Sequence, residues 1–158
     1  MTPIICAQAL ADVLKDKFST FKPADAKIAN NKITIRSGYL PLASTTEEKA
    51  KQSPYIMVRP IAVKDSIETP DDESVLDMQI LVSTFNTDKE NGHLELFHML
   101  EMIRQAILTH SVIGKRFTLK YPVDTIIPEV QPFPTWFAYF TLSYRIPTPE
   151  EELIYSER

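Results

Sequence analysis

Few residues in this chain have the types and spacing that chemistry needs. His93 and His98 bracket the start of an amphipathic stretch, with Glu95 between them. Two histidines on one helical face, four residues apart, would make a zinc-protease pair. Five residues apart, at about 100° per residue, they point roughly 140° away from each other. They read as surface or capping histidines. His110 reads as a last-turn residue complementing the helix dipole. Asp71, Asp72 and Glu73 form an acidic triplet, but no calcium-loop spacing follows, and such a run is ordinarily a solvated one. Cys6 is the one cysteine; it lies in an apolar segment and reads as a small buried hydrophobe. No serine sits in a nucleophile elbow, and no carboxylate pair stands out for acid–base work. Three glycines, Gly38, Gly92 and Gly114, are too few and too far apart for a phosphate cradle. Catalytic, cofactor-binding and metal-binding residues are therefore all read as none.

Lys115 to Tyr121 interleaves basic and aromatic residues, as an RNA-binding sheet would. The internal glycine of the usual RNA-binding strand motif is missing. The plain reading is a strand with one core face and Lys120 on the wet one. The formal net charge of −4 also opposes a general nucleic-acid binder, which needs a basic face to release counterions. Trp136 and its aromatic neighbours read as core.

The elements that would carry any site are clearer. The chain has 158 residues, 44% of them hydrophobic and 24% charged, which suits one globular domain. No apolar run approaches the roughly 20 residues that span a bilayer, and the N-terminus has no signal-peptide pattern. Thr2-Pro3 reads as a helix start, and Leu10, Val13, Leu14, Phe18 and Phe21 carry that helix over about 3–20. Strands are expected at about 32–36, 55–63, 75–85, 116–121 and 136–146. Along 55–63, Ile56, Val58 and Ala62 are read onto one face, and Pro60 marks an edge or a bulge. A second helix is expected at about 92–110, its stripe formed by Leu96, Met99, Leu100, Ile103 and Ile107 and widened by Phe97 and Leu108. The expected architecture is α+β: one two-layer domain over residues 1–147, a mixed twisted sheet of about five strands with both helices on one face, and an acidic tail over 148–158. Strand 75–85, the helix and strand 116–121 are read as a crossover giving a parallel pair.

Three long loops remain, at 37–53, 64–73 and 122–135. Loops of that length in a compact domain usually serve a function or are disordered. The first holds the apolar run Tyr39-Leu40-Pro41-Leu42. The third is stiffened by four prolines and carries Ile126, Ile127, Val130 and Phe133. These eight residues are the candidate subunit-interface set. A sheet carrying such loops and no catalytic set has the profile of an interaction module.

The order of elements, the turn Asn86-Thr87-Asp88 before Gly92-His93, Ile103-Arg104, Ile113-Gly114, Tyr121-Pro122, and Gln131 to Phe137 leading into the last strand together carry a resemblance. It runs best from Tyr55 to Pro147. The chain resembles small phage and prophage tail-module proteins of the tail-terminator, or tail-completion, type. The resemblance implies an α/β sheet fold without enzymatic activity or cofactor. It also implies a homomeric ring, commonly a hexamer, that caps the tail tube and joins it to the head–tail connector. It places the chain in the virion tail, and in host cytoplasm during assembly. DNA would only pass through the ring lumen, and no membrane is involved. The alternatives are another neck or baseplate component or, in a different class, a small nucleic-acid-binding domain using strand 115–121 or an enzymatic domain whose site forms only in the fold.

Overall fold

Alternation along two long strands sets the layout. The computed structural model describes residues 2–21, 33–40, 54–66 and 73–149. In chain order the elements are α1 (Thr2–Lys17), β1 (Thr34–Ser37), β2 (Tyr55–Asp65), β3 (Ser74–Phe85), α2 (His93–Thr109), β4 (Val112–Ile113), β5 (Phe117–Ile126) and β6 (Thr135–Ile146). They form one six-stranded mixed sheet, in the order β1-β2-β3-β6-β5-β4. β3 and β6 lie at its centre, antiparallel, in register from Ser74↔Ile146 to Phe85↔Thr135. Leu76, Met78, Ile80 and Val82 of β3 pair with Tyr144, Leu142, Phe140 and Ala138 of β6, and all eight are buried. Cross-strand neighbours of this kind stabilise a sheet, and period two puts them all on one face.

Both helices cover that face. α2 buries Leu96, Met99, Leu100, Ile103, Ala106 and Ile107 over β3 and β6. α1 buries Cys6, Ala7, Leu10, Ala11 and Leu14 and lies chiefly over β1 and β2. Phe117 and Leu119 of β5 extend the core sideways. The domain is α+β with two layers, as the hydrophobic pattern implies.

Four expectations need correction. The sheet has six strands, because the two-residue β4 pairs with Phe117 and Thr118; so short a segment leaves no periodic signal. β3 and β5 run parallel but are not neighbours, since β6 inserts between them and the crossover yields no parallel pair. β1–β2 is the parallel pair. β5 runs on through Pro122 to Ile126, where a loop was expected. Its register with β6 shifts between Lys120 and Asp124, so the missing proline N–H falls at an irregularity where the ladder does not need it. In β2 a bulge between Pro60 and Ala62 moves Ala62 opposite Asp77, off the core face read from alternation.

Ile103 is fully buried beneath the sheet. Ile103→Ala is expected to cost about 2–5 kcal/mol, read as a lower midpoint in urea unfolding. The Tyr144 hydroxyl, by contrast, is buried without a hydrogen-bond partner among the described residues, a cost of about 1–3 kcal/mol. Tyr144→Phe is expected to leave stability unchanged or raise it. A loss above about 2 kcal/mol would mean that the hydroxyl has a partner.

Candidate subunit interface

The end of the sheet where β3 runs into α2 and β6 begins is locked by side chains bonded to backbone. Asn86 accepts the Asp88 N–H on Oδ1 at 2.9 Å, and Asp88 Oδ1 accepts the N–H groups of Glu90 at 2.9 Å and Asn91 at 3.1 Å. These are turns that Asn and Asp favour because their side chains mimic backbone acceptors. Trp136 Nε1 donates to the Asn86 carbonyl at 3.1 Å, and Asn86 N–H donates to the Pro134 carbonyl at 2.9 Å. Gly92 is needed here, since a Cβ would lie 2.5 Å from the Asp88 carbonyl oxygen and 2.9 Å from Trp136 Nε1. Gln131 clamps the 127–134 connection. Its Nε2 donates to the carbonyls of Pro128 at 2.7 Å and Phe137 at 3.0 Å, and its Oε1 accepts the Phe137 N–H at 2.6 Å.

This fixed scaffold holds apolar side chains out to solvent. Val130 is 86% exposed, Ile127 46% and Phe133 45%. Phe133 meets Trp136 edge-on, with ring centroids 5.9 Å apart. Across from them stands Phe97 of α2, 44% exposed, with the His93 ring 5.2 Å away. Phe97 and Ile127 line two adjoining clefts of about 250 Å³ each. One runs to His93, Pro128 and Trp136, the other along α2 to Leu100 and Arg104 with Thr125 of β5. Exposed apolar residues that cluster, unlike single ones, mark interaction surfaces.

Of the residues picked from sequence, Ile127, Val130 and Phe133 belong to this surface, and Ile126 closes β5 beside them, on a strand. Tyr39 is 69% exposed but lies at the opposite sheet edge, following β1. The Arg59 guanidinium sits 4.0 Å from the Tyr39 ring centre, and Arg59 Nε donates to the Gly38 carbonyl at 3.3 Å. Leu40 is half-buried; Pro41 and Leu42 lie outside the described residues. Tyr39 and Leu40 thus stand apart from Ile127, Val130 and Phe133, with the sheet between them. Phe97 was read only as widening the α2 stripe. The signal was present, because with Leu94 it makes the apolar arc wider than one sheet face can cover.

The groups weighed for chemistry are engaged elsewhere. His93 packs on Phe97 and Trp136, whereas His98 stacks on Phe21 at 6.0 Å. The Cys6 thiol is pushed up to about 12 by burial, which keeps it from being a thiolate. Among the described residues no group of His, Cys, Asp and Glu is placed to hold a metal ion. Asp71 and Asp72 lie outside the described residues, while Glu73 pairs with both Lys120 and Arg145. On the helix-free sheet face, Asp77 accepts the Ser143 hydroxyl at 2.6 Å and pairs with Lys64 at 2.9 Å. The Lys120 ammonium holds the Glu73 carboxyl below its ordinary range, with Arg145 adding to it. The Ser143 hydroxyl does the same for Asp77, helped by Lys64.

No family model matches the sequence, and no curated protein matches it. Among solved structures, a chain from the virion of a native gene transfer agent particle is similar at a TM-score of 0.42 and 14% identity, over 87% of this chain and 94% of that one.

Both depressed carboxyls bind protons more weakly folded than unfolded, so their stabilising contribution is present above the unfolded carboxylate range and is lost as pH falls through and below roughly pH 4. The double variant Glu73→Gln, Asp77→Asn is expected to lose less stability than the wild type between pH 6 and pH 3, compared by urea midpoints. Parallel pH curves for the two proteins would show that these carboxyls do not carry the acid sensitivity.

Proposed function

We propose that this chain is a structural component of a phage-type virion: a tail-terminator or tail-completion protein whose copies close into a homomeric ring, a hexamer by the resemblance. The ring caps the tail tube and joins it to the head–tail connector, with DNA passing only through its lumen. The protein works without catalysis or cofactor. One observation carries this reading. The chain presents unlike exposed groups at opposite sides of its sheet, the apolar cluster of Phe97, Ile127 and Phe133 on one side and the Tyr39 ring stacked on Arg59 on the other. A ring of more than two copies needs a head-to-tail contact between two different patches, whereas a twofold dimer needs one patch meeting itself. The order of motifs from Tyr55 to Pro147, which resembles tail-terminator proteins, supplies the biological setting. The nucleic-acid alternative is disfavoured because Lys120 and Arg145, the cations of the β5–β6 face, are both held by Glu73.

The wild-type chain is expected to run as a closed oligomer in native mass measurement and to show ring-shaped particles in negative stain, and to bind the end of a tail tube rather than a baseplate. The double variant Phe97→Ser, Ile127→Ser removes half-exposed side chains, so folding should lose less than about 2 kcal/mol. Assembly should fall to monomer. A wild-type chain that stays monomeric at high concentration, with and without tail tubes, would overturn the ring reading.

A further inference from the structure

We infer that neighbouring copies join sheet to sheet: β1 of one copy adds antiparallel to the open half of β5 of the next, so that one sheet runs on around the ring. The inference rests on the ring reading above and names the backbone edges that close it.

Among the described residues, β1 pairs on one side only, with β2. Thr34 N–H donates to the Pro54 carbonyl and Gly38 N–H to the Val58 carbonyl. Alternation therefore turns the N–H and C=O groups of Ile35 and Ser37 outward. At the other end of the sheet, β4 covers only the start of β5, pairing at Phe117 and Thr118, with Leu119 N–H donating to the Ser111 carbonyl. From Lys120 to Ile126 the outer edge of β5 has no strand beside it among the described residues. Unpaired edges of this kind are templates for another strand.

These two open edges lie at the same level. Following the register across the sheet, Ser37, Val58, Ile80, Phe140 and Thr125 form one row, and Arg36, Met57, Leu81, Tyr139 and Ile126 the next. A neighbouring copy continuing the same sheet brings its β1 beside Asp124–Ile126 without a shift along the strands. Direction also fits. β1 runs with β2 and β6, and β5 runs against them, so the joint is antiparallel. Charge fits as well. Arg36 and Asp124 are both exposed, and neither takes part in an ion pair among the described residues. With Arg36 opposite Ile126, Asp124 is its diagonal neighbour, roughly 7–8 Å away and within reach of an arginine. The partner is therefore a second copy of this chain. The chain presents the two halves of the joint on opposite edges, which is the head-to-tail arrangement that closes a ring.

Ser37 and Thr125 share a row, so across the joint their Cβ atoms come to about 4.5–5.5 Å, near disulfide range. Ser37→Cys, Thr125→Cys under mild oxidation is expected to give a non-reducing gel ladder ending at the copy number of the native particle. Each single variant alone should give no ladder, which controls for Cys6, and a mixture of the two singles should stop at dimer. Arg36→Glu and Asp124→Arg should each shift assembly to higher protein concentration, and the two together should restore it. Rings that form normally but give no ladder, with charge reversals that do not compensate, would overturn the edge-to-edge joint and leave the ring reading standing. A folded chain that never assembles would overturn both.

Discussion

The β3–β6 pairing is the constraint on which the rest of the structure depends. Its in-register pairs bring together segments about sixty residues apart and carry the largest continuous block of core side chains. α2 lies between the two strands in sequence and packs back over both, so its position follows from theirs. Trp136 opens β6 and bonds to the carbonyl of Asn86 just after β3. The corner that turns the chain into α2 is therefore tied to the same pair. Gly92 cannot carry a side chain because this corner is closed from both strands. Non-local pairing of this kind must meet its loop-closure entropy before it gains contacts. Its length and the burial of one whole face are what make the gain large enough.

How much was legible in the sequence follows from the same physics. β3 and β6 were readable because one face is buried and period two survives along both. The helices were readable to within a few residues because Leu10 and Leu14, or Met99 and Ile103, repeat at helical spacing. Neighbour order was not readable. Periodicity says which face of a strand is buried but not which strand lies beside it, so the β3–β5 parallel pair was a wrong inference from chain order. Proline misled at Pro122, where a ladder irregularity absorbs the missing donor; at Pro60 the bulge falls where proline marks it, and it is strict alternation that misplaced Ala62 beyond it. At the candidate interface, the 127–133 residues were readable as apolar side chains in a polar, proline-rich connection. Phe97 was readable only in part: with Leu94 it makes the helix stripe too wide for one sheet face, but the width does not say which of the residues meets the core and which a partner.

The helix-free face of the sheet is divided along its length. Toward the β2 start lie Tyr55, Met57 and Leu81 with the Phe137–Tyr139 ring pair, and Met57 is fully buried. Toward the far end lie Lys64, Asp77, Ser143, Lys120, Glu73 and Arg145, joined in two compact networks. Partly exposed ion pairs add little net stability each, so the second region is better understood through what it prevents. With both signs locally matched, it offers no uniform field to a polyanion. At the other level Ile126, Ile127 and Phe97 are exposed, and Arg36 and Asp124 take part in no ion pair among the described residues.

These groups bear on why assembly would be specific. A chain of net charge −4 repels its own copies at long range, and salt screens this over roughly 8–10 Å. Short-range contacts must then decide which surfaces meet. An open strand edge alone is promiscuous, because any extended chain can supply backbone donors and acceptors. A joint that also asks for a cation opposite Ile126, diagonal to Asp124, selects among strands by side chain, as alternate-residue recognition does in strand addition. The exposed Phe97–Ile127 ridge beside the edge adds apolar area that gains only when a folded neighbour covers it. Because closure uses each contact once per copy, a modest energy per joint is multiplied around the ring, and the closed form outcompetes open chains without any single interface being strong.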